Sequence, residues 1–255
     1  MYKVVWFGRF KEGVNRDEAW AHLREVHAPL VRAVPQIDAF VQSYATGTLT
    51  QASMGAGLAP GPDDPQRPYD GYALGWYRDE ATFRESLRTD EWATVRADAA
   101  TVFDPESFWG MSAIVDPHAI IDGDYGPLKT VYVMRFHEEI RRDPQLTREA
   151  HARWVETHGH HFGVQVPGIS RYVQNHVVEA LGADGPDGSI DVEICGLSEC
   201  WFEDDAAHEL AMSSPEWLAM NQDAEVMFDT AFSMAGMCAR LEESVAKGAD
   251  GSRLV

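Results

Sequence analysis

The chain is short of basic residues, short of cysteine and without a long apolar run. Lys and Arg total 21 against 41 Asp and Glu, a net charge of −20. Split at Tyr125, the first half carries 11 basic and 19 acidic residues and the second 10 and 22, so no basic face hides behind the average. Nucleic acids and anionic membranes are polyanions that need Lys/Arg neutralisation, so neither is expected as a partner. No stretch of about 18 apolar residues occurs, so no bilayer-spanning helix is expected. The apolar patch near the start is too short for a secretion signal. The three cysteines, Cys195, Cys200 and Cys238, are an odd number confined to the second half. Together these features predict reduced thiols in a cytoplasmic protein, not a disulfide framework. Also missing are G-x-G-x-x-G, the P-loop, G-x-S-x-G and a C-x-x-C-H haem attachment, so nucleotide binding and serine hydrolysis have no support.

What remains is an ordinary globular composition, 45% apolar and 24% charged. Its 255 residues contain an internal repeat. Trp76 and Trp92 of GWYRDEATFRESLRTDEW recur as Trp201 and Trp217 of CWFEDDAAHELAMSSPEW, a shift of 125 that also takes Asp98 to Asp223, Phe103 to Phe228 and Asp104 to Asp229. His27 falls on His158 at a shift of 131, and Pro35, Phe40, Val41 and Gln42 fall on Pro167, Tyr172, Val173 and Gln174 at 132. Val5, Phe7 and Arg9 fall on Val131, Val133 and Arg135 at 126. The offsets change only where loops are expected, as in a tandem duplication, with units at 1–122 and 123–255.

Each unit reads as strand, helix, strand, loop, strand, helices, strand. Strands 2–10 and 128–137 are rich in Val, Phe, Tyr and Trp. Helices are predicted over Arg16–Val34 after an Asn15 cap, and over Arg148–Phe162 after Thr147. Second strands follow Pro35 and Pro167, near Ala39–Tyr44 and Ser170–Val178. The Gly/Pro-rich stretch Gly47–Gly71 is a loop, with a shorter counterpart at Gly182–Gly188. Third strands cover Tyr72–Tyr77 and Val192–Phe202, with helices over Glu80–Phe103 and Asp205–Phe228. Last come strands near Phe108–Val115 and Phe232–Leu241. The order βαββαβ is a ferredoxin-like unit of the α+β class. Two such sheets, packed face to face, would form one intrachain pseudo-dimeric α+β barrel.

Several residues carry a family likeness: W-x-x-x-H at Trp154–His158, its relative Leu23–His27 within REVHAPLV, and the Pro-x-Ile stretches at Pro35 and Pro167. To these add S-P-E-W ending at Trp217, with Asp223 and Phe228–Asp229 beyond it, and TDEW ending at Trp92. On them the chain resembles the EthD family of the dimeric α+β barrel superfamily, in two copies. The first copy departs in having Leu23 where the pattern has Trp. The resemblance implies an enzyme of the lyase or isomerase kind that uses no cofactor. Its reaction would be a cyclisation, dehydration, isomerisation or decarboxylation of a small aromatic or polyketide-like substrate.

Trp20, Leu23, His27 and Leu30 share one face of the first helix, spaced i, i+3, i+7 and i+10. The same positions in the second copy are His151, Trp154, His158 and His161. Packing alone is served by Trp20 and Leu30, so the exchange for histidines points to a polar pocket in the second unit. Imidazole titrates near neutrality and can take and return a proton. His158, His161 and His27 are therefore the catalytic candidates. Trp154, His151, Tyr172, His176, His137 and Arg135 are the candidate substrate contacts, and Tyr44 and Tyr72 are further possible cavity linings. Two alternatives use the same residues. His27 and His158 could brace the helix end, and Arg9 and Arg135 could pair with Asp98 or Asp223. A metal held by His158 and His161 with Glu199 or His176, or a noncovalent haem on a helix histidine, would make the protein an oxidase or carrier. A binding protein without catalysis is a third reading. The expected assembly is a monomer or homodimer, and no cofactor or metal is assigned.

Overall fold

The computed structural model describes residues 2–48, 70–104, 112–181, 194–229 and 238–247. The first unit comprises β1 (Tyr2–Gly8), a long helix α1 (16–33), β2 (Ala39–Thr48), β3 (Gly71–Tyr77), α2 (Glu80–Ser86), α3 (Asp90–Val102) and β4 (Ser112–Ile121). The second repeats the order with β5 (Leu128–Met134), a short helix α4 (Glu138–Arg142), a long helix α5 (144–162), β6 (Ile169–Leu181), β7 (Gly196–Phe202), α6 (Asp205–Met212), α7 (Pro215–Met227) and β8 (Cys238–Lys247). Most of the predicted loops Gly47–Gly71 and Gly182–Gly188 lie outside the described residues.

Local chemistry sets the helix ends. Asn15 caps α1 by accepting from the Glu18 N–H at 3.1 Å. The second long helix starts earlier than Thr147: Asp143 accepts from the Gln145 and Leu146 N–H groups, and Pro144 takes the first helical position. The predicted single helices Glu80–Phe103 and Asp205–Phe228 are each broken in two. Thr89 and Ser214 start new helices, each accepting a backbone N–H at 3.1 Å, from Trp92 and Trp217. The repeated TDEW and SPEW stretches are thus helix starts. The last strand lies later than expected, at Cys238–Lys247.

The eight strands close into one barrel in the order β1-β3-β2-β8-β5-β7-β6-β4, with every neighbouring pair antiparallel. Within each unit the order is fourth, first, third, second. The two sheets, expected to pack face to face into one barrel, enclose a common core and also join at their edges, β2 to β8 and β6 to β4. Closure pairs every edge strand, which two stacked sheets would leave open. It also extends β4 beyond Val115, where the strand was expected to end, so that Asp116 faces His176.

Alternation along the strands divides the core. Val5, Phe7, Val41, Leu74, Val131, Val133 and Leu197 fill the barrel interior from both units. Val4, Trp6 and Phe40 point outward under the first-unit helices, and Tyr132, Met134 and Tyr172 do so in the second. The interior also holds ions. Lys129 Nζ lies 2.5 Å and Lys3 Nζ 3.8 Å from the Glu199 carboxylate, which accepts from the Tyr72 hydroxyl at 2.6 Å and Asn175 Nδ2 at 2.8 Å. Burial pushes the Glu199 carboxyl up, but the two ammonium groups and the Tyr72 bond outweigh it and bring it down to about 2. Cys195 and Cys200 are free and buried, and burial pushes both thiols up. Among the described residues no helix is long and apolar enough to cross a membrane.

Candidate active site

Both long helices contain a π-helical stretch at matching positions. In α1 it is Leu23–His27, between Arg16–His22 and Ala28–Ala33. In α5 it is Trp154–Phe162, after Pro144–Arg153. The i→i+5 turn is rare and gathers at functional sites, because widening the helix re-aims the side chains beyond it. Each stretch presents a buried histidine, His27 or His158, toward a carboxylate on the helix packed behind it.

In the first unit, His27 Nδ1 lies 2.8 Å from Asp98 Oδ2 and His22 Nε2 lies 2.9 Å from Asp98 Oδ1. Burial alone would push the Asp98 carboxyl up. The bonds from His27 and His22 win and hold it below the usual carboxylate range. Asp98 accepts a hydrogen bond from His27 Nδ1–H, so Nε2 is the nitrogen left for the pocket that the ring lines. That pocket lies between α1, α3 and the outer face of the sheet and is open to solvent at its mouth. Its walls include Trp6, Trp20, Phe40, Trp92 and Phe103, with Gln42 among them. Three polar atoms of these lining residues are buried without a hydrogen-bond partner: the indole nitrogens of Trp6 and Trp92 and Gln42 Oε1. Buried polar atoms are nearly always paired, so these three are free to bond a group brought into the pocket.

The second unit builds the same framework and fills it. Leu23 is replaced by Trp154, fully buried at 0% exposure, Gly8 by Met134 and Val95 by Met220. A Cβ on Gly8 would sit 2.5 Å from the Phe103 ring, so glycine lets that ring close against the strand. The large indole over the sheet also changes place. Trp20 covers Gly71 in the first unit and Trp154 covers Gly196 in the second, each so close that a Cβ would meet the indole within 2.9 Å. Trp20 stacks on Tyr44 at 4.3 Å between ring centroids, and Trp154 stacks on His176 at 4.2 Å. Behind it, His158 Nδ1 and Asp223 Oδ2 are 3.3 Å apart as an ion pair but are not aligned as a hydrogen bond. Arg153, at the position of His22, bonds the other Asp223 oxygen.

The second-unit histidines form a different assembly from the one expected. His151 Nδ1 meets His176 Nδ1 at 2.9 Å, and His176 Nε2 meets Gln174 Oε1 at 3.1 Å. Gln174 Nε2 donates to the Tyr172 hydroxyl at 2.9 Å, which is 3.2 Å from Ser198 Oγ. Burial, with help from the charge of His118, pushes His151 down to about 4; burial, then His151 and His118, push His176 down to about 2. Both rings are therefore neutral at ordinary pH, and burial pushes the Tyr172 phenol up. Trp154, His151, Tyr172 and His176 thus come together, but as packed core.

The other expected site residues lie elsewhere. His161 is exposed, because the π-helical turn carries it off the stripe and Gly159 takes the buried face after His158. His137 bonds the Glu225 carbonyl at 2.9 Å beside the start of α4. Arg135 bonds Asp229 at 2.5 Å, and Arg9 bonds Asp104 at 2.7 Å. The two arginines brace the units at equivalent places, though with partners other than Asp98 and Asp223. Glu199 faces the barrel interior, on the other side of the sheet from His158, so the suggested metal ligands do not converge. Among the described residues no group of three or more His, Cys, Asp or Glu is placed to hold a metal ion. Sequence reasoning missed Asp98 as the partner of His27 and missed Gln42 altogether. Both stand in the repeat, at Asp223 and Gln174, which was the available signal.

Residues 11–106, which include the helix of His27 and the helix of Asp98, match the EthD domain. No curated protein matches the sequence. Among solved structures, an anthrone oxidase-like protein is 12% identical, with a TM-score of 0.55 over 99% of this chain and 96% of its own. A provisionally assigned monooxygenase of Fusobacterium nucleatum subsp. nucleatum is 13% identical, with a TM-score of 0.51 over 96% of this chain and 92% of its own. These likenesses show a shared fold along nearly the whole chain.

Proposed function

We propose that this protein is an enzyme that removes a proton from a small, hydrophobic aromatic substrate in the first-unit pocket, with His27 as the base. The observation that carries this reading is the His27–Asp98 pair beside an aromatic-walled cavity. Asp98 holds Nδ1, fixes the tautomer that leaves Nε2 as acceptor, and stabilises the imidazolium once the proton has moved. The apolar walls keep water away and strengthen that electrostatic pairing. The unpartnered indole N–H groups of Trp6 and Trp92 suit an oxygen on which negative charge develops. Returned elsewhere on the substrate, the proton completes an isomerisation, cyclisation or dehydration of the lyase type.

A second outcome shares the first step. The deprotonated ring is electron-rich and can pass electrons to dioxygen, and the anthrone oxidase-like neighbour favours including it. The common step is tested by deuterium uptake from D2O into anthrone and related aromatic ketones, followed by NMR, with and without dioxygen. His27→Ala should slow exchange by about 10²-fold or more and Asp98→Asn by a smaller factor, while His158→Ala leaves it at the wild-type rate. Exchange undiminished in folded His27→Ala would sink the proposal. Product formed only in the presence of dioxygen would select the oxidative outcome.

A further inference from the structure

The two units carry the same amide at the same strand position, Gln42 on β2 and Gln174 on β6, in opposite states. Gln174 is fully engaged: Nε2 donates to the Trp154 carbonyl at 3.0 Å and to the Tyr172 hydroxyl at 2.9 Å, and Oε1 accepts from His176. At the places of Tyr172 and His176 the first unit has Phe40 and Tyr44. Phe40 offers no polar atom, and the Tyr44 hydroxyl accepts from Arg24 at 2.8 Å. Gln42 is left 6% exposed on the pocket wall, its Oε1 buried without a donor. A buried amide oxygen in that state is costly, and an apolar residue would serve packing better. The donor it lacks is one that a ligand can bring.

Resting on the aromatic-pocket reading above, we propose that Gln42 is the specificity-determining residue and reads a hydroxyl, so that the ligand is a hydroxylated planar aromatic of the phenol or naphthol class. The ring would lie among Trp6, Phe40, Trp92 and Phe103, offset against their faces. Its O–H donates to Gln42 Oε1. A hydrocarbon or a methyl ether of the same shape has no proton to give and leaves the amide unpaired. A site built to bond a hydroxyl rejects the analogue without one far more strongly than an apolar pocket separates sizes.

Calorimetric titration of 2-naphthol, naphthalene and 2-methoxynaphthalene into the full chain tests this. The wild type should bind 2-naphthol about tenfold or more tighter than either analogue. Gln42→Leu, folded by circular dichroism, should bring all three within about twofold of one another. Equal wild-type affinity for 2-naphthol and 2-methoxynaphthalene overturns the role of Gln42 and leaves the aromatic pocket standing. A preference that survives in folded Gln42→Leu does the same. If none of the three binds, the aromatic-pocket reading falls and takes this inference with it. The wild-type comparison needs no variant, so misfolding of Gln42→Leu would not rescue the proposal.

Discussion

Replacing Leu23 by Trp puts into the first unit the residue that fills the second, and the two exchanges should differ sharply in cost. Leu23 is buried on α1 at the pocket wall, and Trp154 is fully buried in the second-unit core. In Trp154→Leu, about 70 Å² less apolar surface is buried, worth about 2 kcal/mol. A residual cavity of about 60 Å³ adds about 1.5 kcal/mol, and stacking on His176 and the edge-to-face contact with Phe228 are lost as well. The total, about 3–4 kcal/mol, lowers Tm by about 10 °C in a chain of this length. Leu23→Trp buries a similar extra area in space that is already empty. It must also share the surface over Gly71 with Trp20, an overpacking cost of about 1–3 kcal/mol that roughly cancels the gain. Its Tm should stay within about 5 °C of wild type, while 2-naphthol binding falls below detection. Thermal unfolding with calorimetric titration reads both quantities. If Leu23→Trp unfolds as early as Trp154→Leu, or binds 2-naphthol like the wild type, the pocket is not the space that Leu23 leaves.

Two further outcomes follow from the second unit. His151 and His176 have folded pKa values of about 4 and about 2, below the ordinary 6.5, so the unfolded chain takes up protons first as pH falls. Their contribution to stability is complete above pH 6.5 and is lost on acidification, through pH 4 for His151 and toward pH 2 for His176, by up to about 1.4 kcal/mol per pH unit for each. Urea unfolding at pH 7 and pH 5 should show the loss, and His151→Gln should reduce it; an unchanged loss in that variant refutes the assignment. His161 is exposed, so His161→Ala should change stability by no more than about 0.5 kcal/mol and leave deuterium exchange at the wild-type rate. A hundredfold loss of exchange there would put the exposed histidine back into the chemistry.

The fold was legible because repetition and periodicity are local and redundant. The shift of Trp76 to Trp201 and Trp92 to Trp217 marked two units, and the βαββαβ order follows from strand-rich runs, caps and Pro breaks. The site was legible only in part. His27 and His158 stood out by their shared position on a helix face, and both do meet a carboxylate. Which of the two faces an open pocket was not legible. The histidines gained at His151 and His176 read as chemistry, but they pair with one another as neutral rings under Trp154. The informative difference was volume, Leu23 and Gly8 against Trp154 and Met134, and volume becomes a cavity only once its neighbours are known.

The sequence by itself determined the duplication, the α+β class, the acidic surface and the helix position that carries an imidazole in each unit. Those properties depend on composition and on residues close together along the chain. Only the tertiary structure decided that the sheets join at their edges, that Asp98 stands behind His27, and that Gln42 is left without a donor while Gln174 is satisfied. These depend on contacts between residues tens of positions apart, where one larger side chain closes a pocket that its repeat leaves open.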